Sequence, residues 1–165
     1  MTKLFNNINK SWALATGILL IASSYIVKNA VQSPYILLHQ TDALDLLPPL
    51  WLLTLLWYVL YFVSGFVAGH ILSLACVSTE LDVKRYQGGM FFVIAITLSF
   101  AWYLLLFGPE MFFLSWIICG VAATSFLLTA FCWLRLGKNS FLILLSVSIA
   151  FYFLFIIQFF VMLHT

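Results

Sequence analysis

The sequence predicts an all-α membrane protein, a bundle of five transmembrane helices that forms a single domain over residues 1–165. Hydrophobic residues make up 65% of the chain and charged residues only 7%, which is more apolar surface than a water-soluble domain of this size can bury. Long apolar runs also recur along the chain, and about 20 apolar residues suffice for a helix to span the hydrocarbon core. The predicted spans cover residues 12–31, 50–76, 90–107, 111–134 and 141–163.

The first span follows a polar segment that carries Lys3 and Lys10. No small-x-small cleavage site follows the apolar run, so we interpret it as a retained helix rather than a signal peptide. Ser24 lies inside this span, where a serine can bond to its own helix, bond to another helix or contact a ligand. Residues 31–47 then form the longest predicted loop, which carries Asp42 and Asp45.

The second span is opened by two prolines, which favour the first turn of a helix. Within it Trp57, Tyr61, Gly65 and Gly69 follow one another at intervals of four residues, so they share one slowly turning stripe. The G-x-x-x-G pair lets a neighbouring helix approach closely. The two rings lie nearer the prolines, where the helices are not held together by glycines. They either fill the space between the helices by ordinary packing or line a ligand site.

Polar residues in the later spans complete the candidate set. Residues 77–89 are the most charged segment and are predicted to be a solvated loop. The third span carries Ser99 and Trp102, and the fourth has a small-residue patch near Gly120 for tight helix contact. Gln158 lies deep in the fifth apolar run, so it must bond across the bundle or to a guest molecule.

The basic residues predict the orientation. Only Lys28 falls on the side of the first loop, and the other basic residues fall on the opposite side: Lys3, Lys10, Lys84, Arg85, Arg135 and Lys138. By the positive-inside rule the N-terminus is cytoplasmic and the C-terminus is outside. A formal net charge of +2 is too small for a nucleic-acid interface.

No motif of a catalytic or metal site is present. The sequence has no P-loop, no H-E-x-x-H and no G-x-S-x-G, and no acidic residue clearly lies in mid-membrane. The three cysteines show no C-x-x-C spacing and are interpreted as small apolar residues. We therefore predict no enzyme, no catalytic residue, no metal ligand and no obligatory cofactor.

The spacing of the second span resembles that of the translocator protein family, also known as the peripheral benzodiazepine receptor or, in bacteria, the tryptophan-rich sensory protein (TspO/MBR) family. The family pattern P-P-x-W-x-x-x-P-x-W-x-x-L-Y-x-x-x-G is matched, apart from its third proline, by Pro48, Pro49, Trp51, Trp57, Tyr61 and Gly65. Ser99, Trp102 and Phe107-Gly108 are similar to the family's third-helix N-x-x-W-x-x-x-F-F-G. The last helix departs from the family, because Ser146 to Ala150 stand in place of a motif that supplies a pocket ring.

The resemblance implies a receptor or carrier that holds a porphyrin, a heme-type tetrapyrrole or a sterol among the five helices, closed by the first loop, and that forms a homodimer. The candidate ligand-binding residues are Ser24, Pro48, Pro49, Trp51, Trp57, Tyr61, Ser99, Trp102 and Gln158. The alternative is a structural or assembly membrane protein whose interior is filled by its own side chains. A cavity among spans one, two, three and five would distinguish the two.

Overall fold

The computed structural model describes residues 2–31, 50–74, 78–108 and 111–164, with side chains described over 10–31, 54–74, 78–108 and 111–160. These residues form five α-helices, α1 to α5 in chain order. Their bounds are Thr2–Asn29, Leu50–Leu72, Thr79–Phe107, Phe112–Trp133 and Lys138–His164. Each is long and apolar enough to cross a membrane, so the all-α five-helix fold is confirmed and the chain is an integral membrane protein.

Helix α3 is longer than the sequence predicts. It begins at Thr79, so residues 79–89 are helical and their prediction as a loop was wrong. The Ser78 hydroxyl caps the helix by accepting a hydrogen bond from the backbone N–H of Leu81 at 3.3 Å. Glu80 and Asp82 lie in the first turn, where their negative charges stabilise the helix by interacting with the positive end of its dipole. Helix α1 likewise starts ten residues before its predicted span, at Thr2.

Helices α1 and α2 form a tightly packed pair, as the G-x-x-x-G spacing predicts. The Thr16 hydroxyl of α1 donates to the Gly65 carbonyl of α2 at 2.8 Å. A Cβ atom on Gly65 would lie 3.0 Å from the Gly17 Cα, and one on Gly69 would lie 2.9 Å from the Ala13 Cα. The two backbones are therefore in direct contact.

Helices α3, α4 and α5 form a second unit, the triplet. The Trp133 indole of α4 packs on Gly88 of α3, where a Cβ would collide with it, and its N–H donates to the Arg85 carbonyl at 3.1 Å. The Ser148 hydroxyl of α5 donates to the Ala123 carbonyl of α4 at 2.9 Å. Small residues and buried hydroxyls thus hold α4 against both of its neighbours.

The pair and the triplet meet where α2 contacts α3 and α5 and where α1 contacts α3. Around the bundle the order is therefore α1, α2, α5, α4, α3. Most of the close helix contacts lie within the pair and within the triplet rather than between them. The junction between the two units is what positions the candidate site.

The two ends of the bundle differ in charge. One end, which we call the basic end, carries Lys10, Lys84, Arg85, Arg135 and Lys138. The opposite end, which we call the loop end, carries Lys28 at the end of α1 and Gly108 at the end of α3. At the basic end the Arg85 guanidinium pairs with Asp82 at 2.6 Å. It also donates to the carbonyl of Leu72, the last residue of α2, and to the carbonyl of Leu74 just beyond the helix. Arg85 therefore ties the triplet to the carboxyl end of α2.

Candidate ligand-binding site

Aromatic rings fill the junction between the pair and the triplet. We call this cluster the aromatic seam, and its members are Trp57 and Tyr61 of α2, Phe100, Trp102 and Tyr103 of α3, and Phe151 of α5. Four candidate residues from the sequence, Trp57, Tyr61, Trp102 and the neighbouring Ser99, are brought together here. Two of these residues lie on α2 and two on α3, and the packing of the two helices places them next to one another.

Trp57 is the centre of the seam. Its ring centroid lies 5.0 Å from Tyr61, 5.3 Å from Trp102, 5.5 Å from Phe151 and 6.2 Å from Tyr103. These separations are typical of favourable aromatic pairs, and the tilted and edge-to-face angles match the preferred geometry. One half-buried indole therefore contacts rings from three helices.

Tyr61 connects α2 to α3 through a buried hydrogen bond. Its hydroxyl lies 2.7 Å from the Ser99 hydroxyl, and Ser99 itself donates to the Ile96 carbonyl at 2.7 Å. Since Ser99 has one hydroxyl hydrogen, Tyr61 is the donor between the two. The Phe100 ring stacks on Tyr61 at 5.0 Å, so the phenol is held at both its ring and its hydroxyl.

Trp102 and Gln158 form the second polar element beside the seam. The Trp102 indole N–H donates to Gln158 Oε1 at 2.8 Å. The Gln158 amide nitrogen donates to the Phe112 carbonyl at 3.0 Å and to the Ser115 hydroxyl oxygen at 2.6 Å. Because indole can only donate, the amide orientation is fixed, and Gln158 bonds across the bundle as predicted.

Of the remaining candidates, Ser24 is the one whose side chain the structure describes. Ser24 is buried, and its hydroxyl donates to the Ile21 carbonyl of its own helix at 3.1 Å. Pro48 and Pro49 lie outside the described residues. Trp51 lies in the first turn of α2, and its side chain is likewise outside the described set.

The seam is closed in this structure. Between its rings and the neighbouring side chains there is a gap with no space for a water molecule. The residues that line this gap are Trp57, Leu60, Tyr61, Ser64, Phe126, Val147 and Phe151. A guest that occupies this gap therefore requires the rings to rotate or the pair to move away from the triplet.

The chemistry available in the seam is stacking and hydrogen bonding. No group of three or more histidine, cysteine or carboxylate side chains that could hold a metal occurs among the described residues. The indole N–H groups of Trp102, Trp116 and Trp133 each donate within the bundle. For Trp57, by contrast, no acceptor lies in the described ranges, so its N–H is the polar group that a guest could use.

Three members of the seam are not predictable from the sequence motifs. Phe151 supplies a ring directly after Ala150, in the segment that lacks the family motif, and Phe100 and Tyr103 flank Trp102. Val147, Phe151 and Gln158 recur at intervals of four and seven residues on α5, which is the signal for a shared face. Because nearly all of α5 is apolar, that periodicity does not stand out.

Comparisons of the chain with family models, with curated proteins and with solved structures found no match. Membership of the translocator protein family therefore stays a prediction.

Proposed function

We propose that the protein is a membrane receptor or carrier that binds a flat hydrophobic molecule in the aromatic seam. A porphyrin-like tetrapyrrole is the preferred ligand class, and a sterol is the second choice. The observation that carries this proposal is the position of Trp57, a half-buried indole in contact with four rings at the junction of two separately packed units. The resemblance to the translocator protein family points to the same residues.

The seam is the junction best suited to opening. Within the pair, backbone meets backbone at Gly65 and Gly69, so separation there would expose helix carbonyls and glycines. Between the pair and the triplet, rings supply much of the contact. Each aromatic pair contributes about 0.5–1.5 kcal/mol beyond its buried area, and a flat guest inserted between rings replaces these contacts with similar ones.

The membrane favours a planar aromatic guest over a saturated one. A molecule that arrives from the bilayer is already in apolar surroundings, so its binding gains little from the hydrophobic effect. The gain must come from stacking, for which the seam offers the rings of Trp57, Trp102 and Tyr61, and from polar pairing, for which it offers the Trp57 N–H. A tetrapyrrole presents a wide π-system to these rings, and a sterol does not.

Titration with protoporphyrin IX tests the proposal. We expect a saturable shift of the pigment's absorbance with wild-type protein in detergent, a readout that does not depend on the protein's own fluorescence. The variant Trp57→Leu should weaken binding at least tenfold, since it removes the central ring while keeping an apolar side chain. The matched control is Trp116→Leu, because Trp116 stacks on Phe155 at 4.6 Å between α4 and α5, outside the seam.

A structural or assembly role is the second candidate, and the closed gap favours it. If the rings only fill the bundle, no saturable shift will occur, and Trp57→Leu will lower thermal stability without any effect on pigment. Copurification of a coloured molecule from the native membrane would count against this candidate.

The same proposal includes an orientation and an oligomeric state. With the basic end in the cytoplasm, the N-terminus is inside and the C-terminus outside, which reporter fusions at the C-terminus would test. A homodimer would have to use lipid-facing surfaces, because Gly65 and Gly69 are covered by α1 and Gly120 lies under Phe155 in the single chain. Exposed rings such as Phe113 and Phe153 are on such surfaces.

A further inference from the structure

Lys28 lies at the loop end of the bundle, in the last turn of α1. Its ammonium group is 3.5 Å from the Thr54 hydroxyl of α2 and 5.8 Å from the centroid of the Tyr58 ring. The side chain is half-buried. A hydroxyl and a ring face orient the lysine, but neither neutralises its charge.

No carboxylate pairs with Lys28 within the described ranges. The carboxylates described there, Glu80 and Asp82, lie at the basic end, where they pair with Lys84, Arg85 and Arg135. A half-buried ammonium group near the hydrocarbon is costly without a partner. Among the described residues, therefore, none neutralises Lys28, and the ammonium group has capacity for an anionic oxygen group.

The lysine is adjacent to the aromatic seam. Thr54 and Trp57 are three residues apart on α2, which places them about 60° apart around the helix and about 4.5 Å apart along it. Tyr58, beside which the ammonium group lies, directly follows Trp57 in the chain. A guest stacked on Trp57 can thus reach Lys28 with a short acidic substituent.

We propose that the guest of the seam is an anionic amphiphile, a flat apolar molecule with a carboxylate that Lys28 binds at the loop end. This inference rests on the proposed function, because it assigns the polar part of the molecule that the seam would hold. Lys28 would fix the direction of the guest, with its charged edge toward the loop end and its apolar edge among the rings. Neutral analogues of the same shape would lack this contact and bind more weakly than the acid.

The test compares protoporphyrin IX with its dimethyl ester, which keeps the macrocycle but carries neutral methyl esters in place of the two carboxylates, in neutral detergent without added lipid. We expect wild-type protein to bind the free acid about three to ten times more tightly, the range of a partly exposed charge-assisted contact. Lys28→Gln should bring the ratio of the two dissociation constants to about one while leaving the ester's affinity unchanged. Lys138→Gln, a lysine at the basic end, should keep the wild-type ratio.

The outcomes separate this inference from the proposed function. If the ester binds saturably and depends on Trp57, but wild-type protein does not prefer the free acid, the seam holds a guest and the role of Lys28 is refuted. A preference that survives in Lys28→Gln also refutes it. If wild-type protein shows no preference and Lys28→Gln loses bound phosphatidylglycerol in native mass spectrometry, Lys28 serves a lipid phosphate instead, which overturns the inference. If neither pigment binds, both proposals fail.

Discussion

Gly69→Ala tests the backbone contact between α1 and α2. A Cβ at this position would lie 2.9 Å from both the Ala13 Cα and the Trp12 carbonyl oxygen, and it would also overlap the Thr16 hydroxyl. Two of these three atoms are backbone, so no side-chain rotation relieves the clash and α1 must move. Overpacking of this kind costs about 1–3 kcal/mol, against a gain of about 1 kcal/mol from the higher helix propensity of alanine.

Gly89→Ala is the matched control, because it is also a helical glycine. Its new Cβ would meet only Leu72 Cδ2, at 3.1 Å, and the end of a flexible side chain can shift. The propensity gain is common to both variants, so the difference between them isolates the clash. We expect Gly69→Ala to be less stable than Gly89→Ala by about 1–3 kcal/mol.

Equilibrium unfolding of both variants in mixed detergent and sodium dodecyl sulfate, followed by circular dichroism, measures this difference. If Gly69→Ala is as stable as Gly89→Ala, the backbones of α1 and α2 are not in contact and the account of the pair is wrong.

Three further substitutions probe the polar contacts of the bundle. Gln158→Leu removes the acceptor of the Trp102 indole N–H and should cost about 1–2 kcal/mol in the same unfolding assay. Tyr61→Phe deletes the hydrogen bond to Ser99 and should cost about 0.6 kcal/mol and at most about 1.7, the range for hydrogen bonds between membrane helices. Arg85→Met frees the carbonyls at the carboxyl end of α2 and should speed amide hydrogen exchange in the last turn of that helix.

Each of these has its own control. A double-mutant cycle of Gln158→Leu with Trp102→Phe should be non-additive, and additivity would contradict the hydrogen bond. For Tyr61→Phe the control is Tyr86→Phe, since Tyr86 is exposed, and equal costs would refute a buried bond. Lys84→Met, which removes a charge from a pair at 3.7 Å, should leave exchange in α2 unchanged.

The sequence predicts the five spans well because long apolar runs separated by polar segments have few alternative structures. The charged segment that begins α3 is an exception: its charges predict a solvated loop, and this prediction is wrong because the segment is helical from Thr79. In the structure Glu80 pairs with Lys84 at 3.7 Å and Asp82 with Arg85 at 2.6 Å, spacings that a helix produces. The same charges therefore support helical turns at the membrane surface.

The candidate site is partly predictable for a similar reason. Trp57 and Tyr61 stand out because the glycines that follow them mark one face of α2, and Gln158 stands out because an amide in an apolar helix needs a partner. Phe151 does not stand out, since α5 is apolar on all sides and no period marks its inner face. Which phenylalanine joins the seam depends on the rotation of α5 against α4, and this is set by packing such as the Ser148 contact to Ala123.

The division into pair and triplet has a consequence for how the chain is made. Helices α1 and α2 are consecutive, and so are α3, α4 and α5, so nearly all the tight contacts join neighbours in the order of synthesis. Such local contacts form quickly, because little loop entropy is lost in making them. We therefore expect a hairpin of the first two helices to form before the third leaves the ribosome, and the two halves to meet through their rings as the last step of assembly.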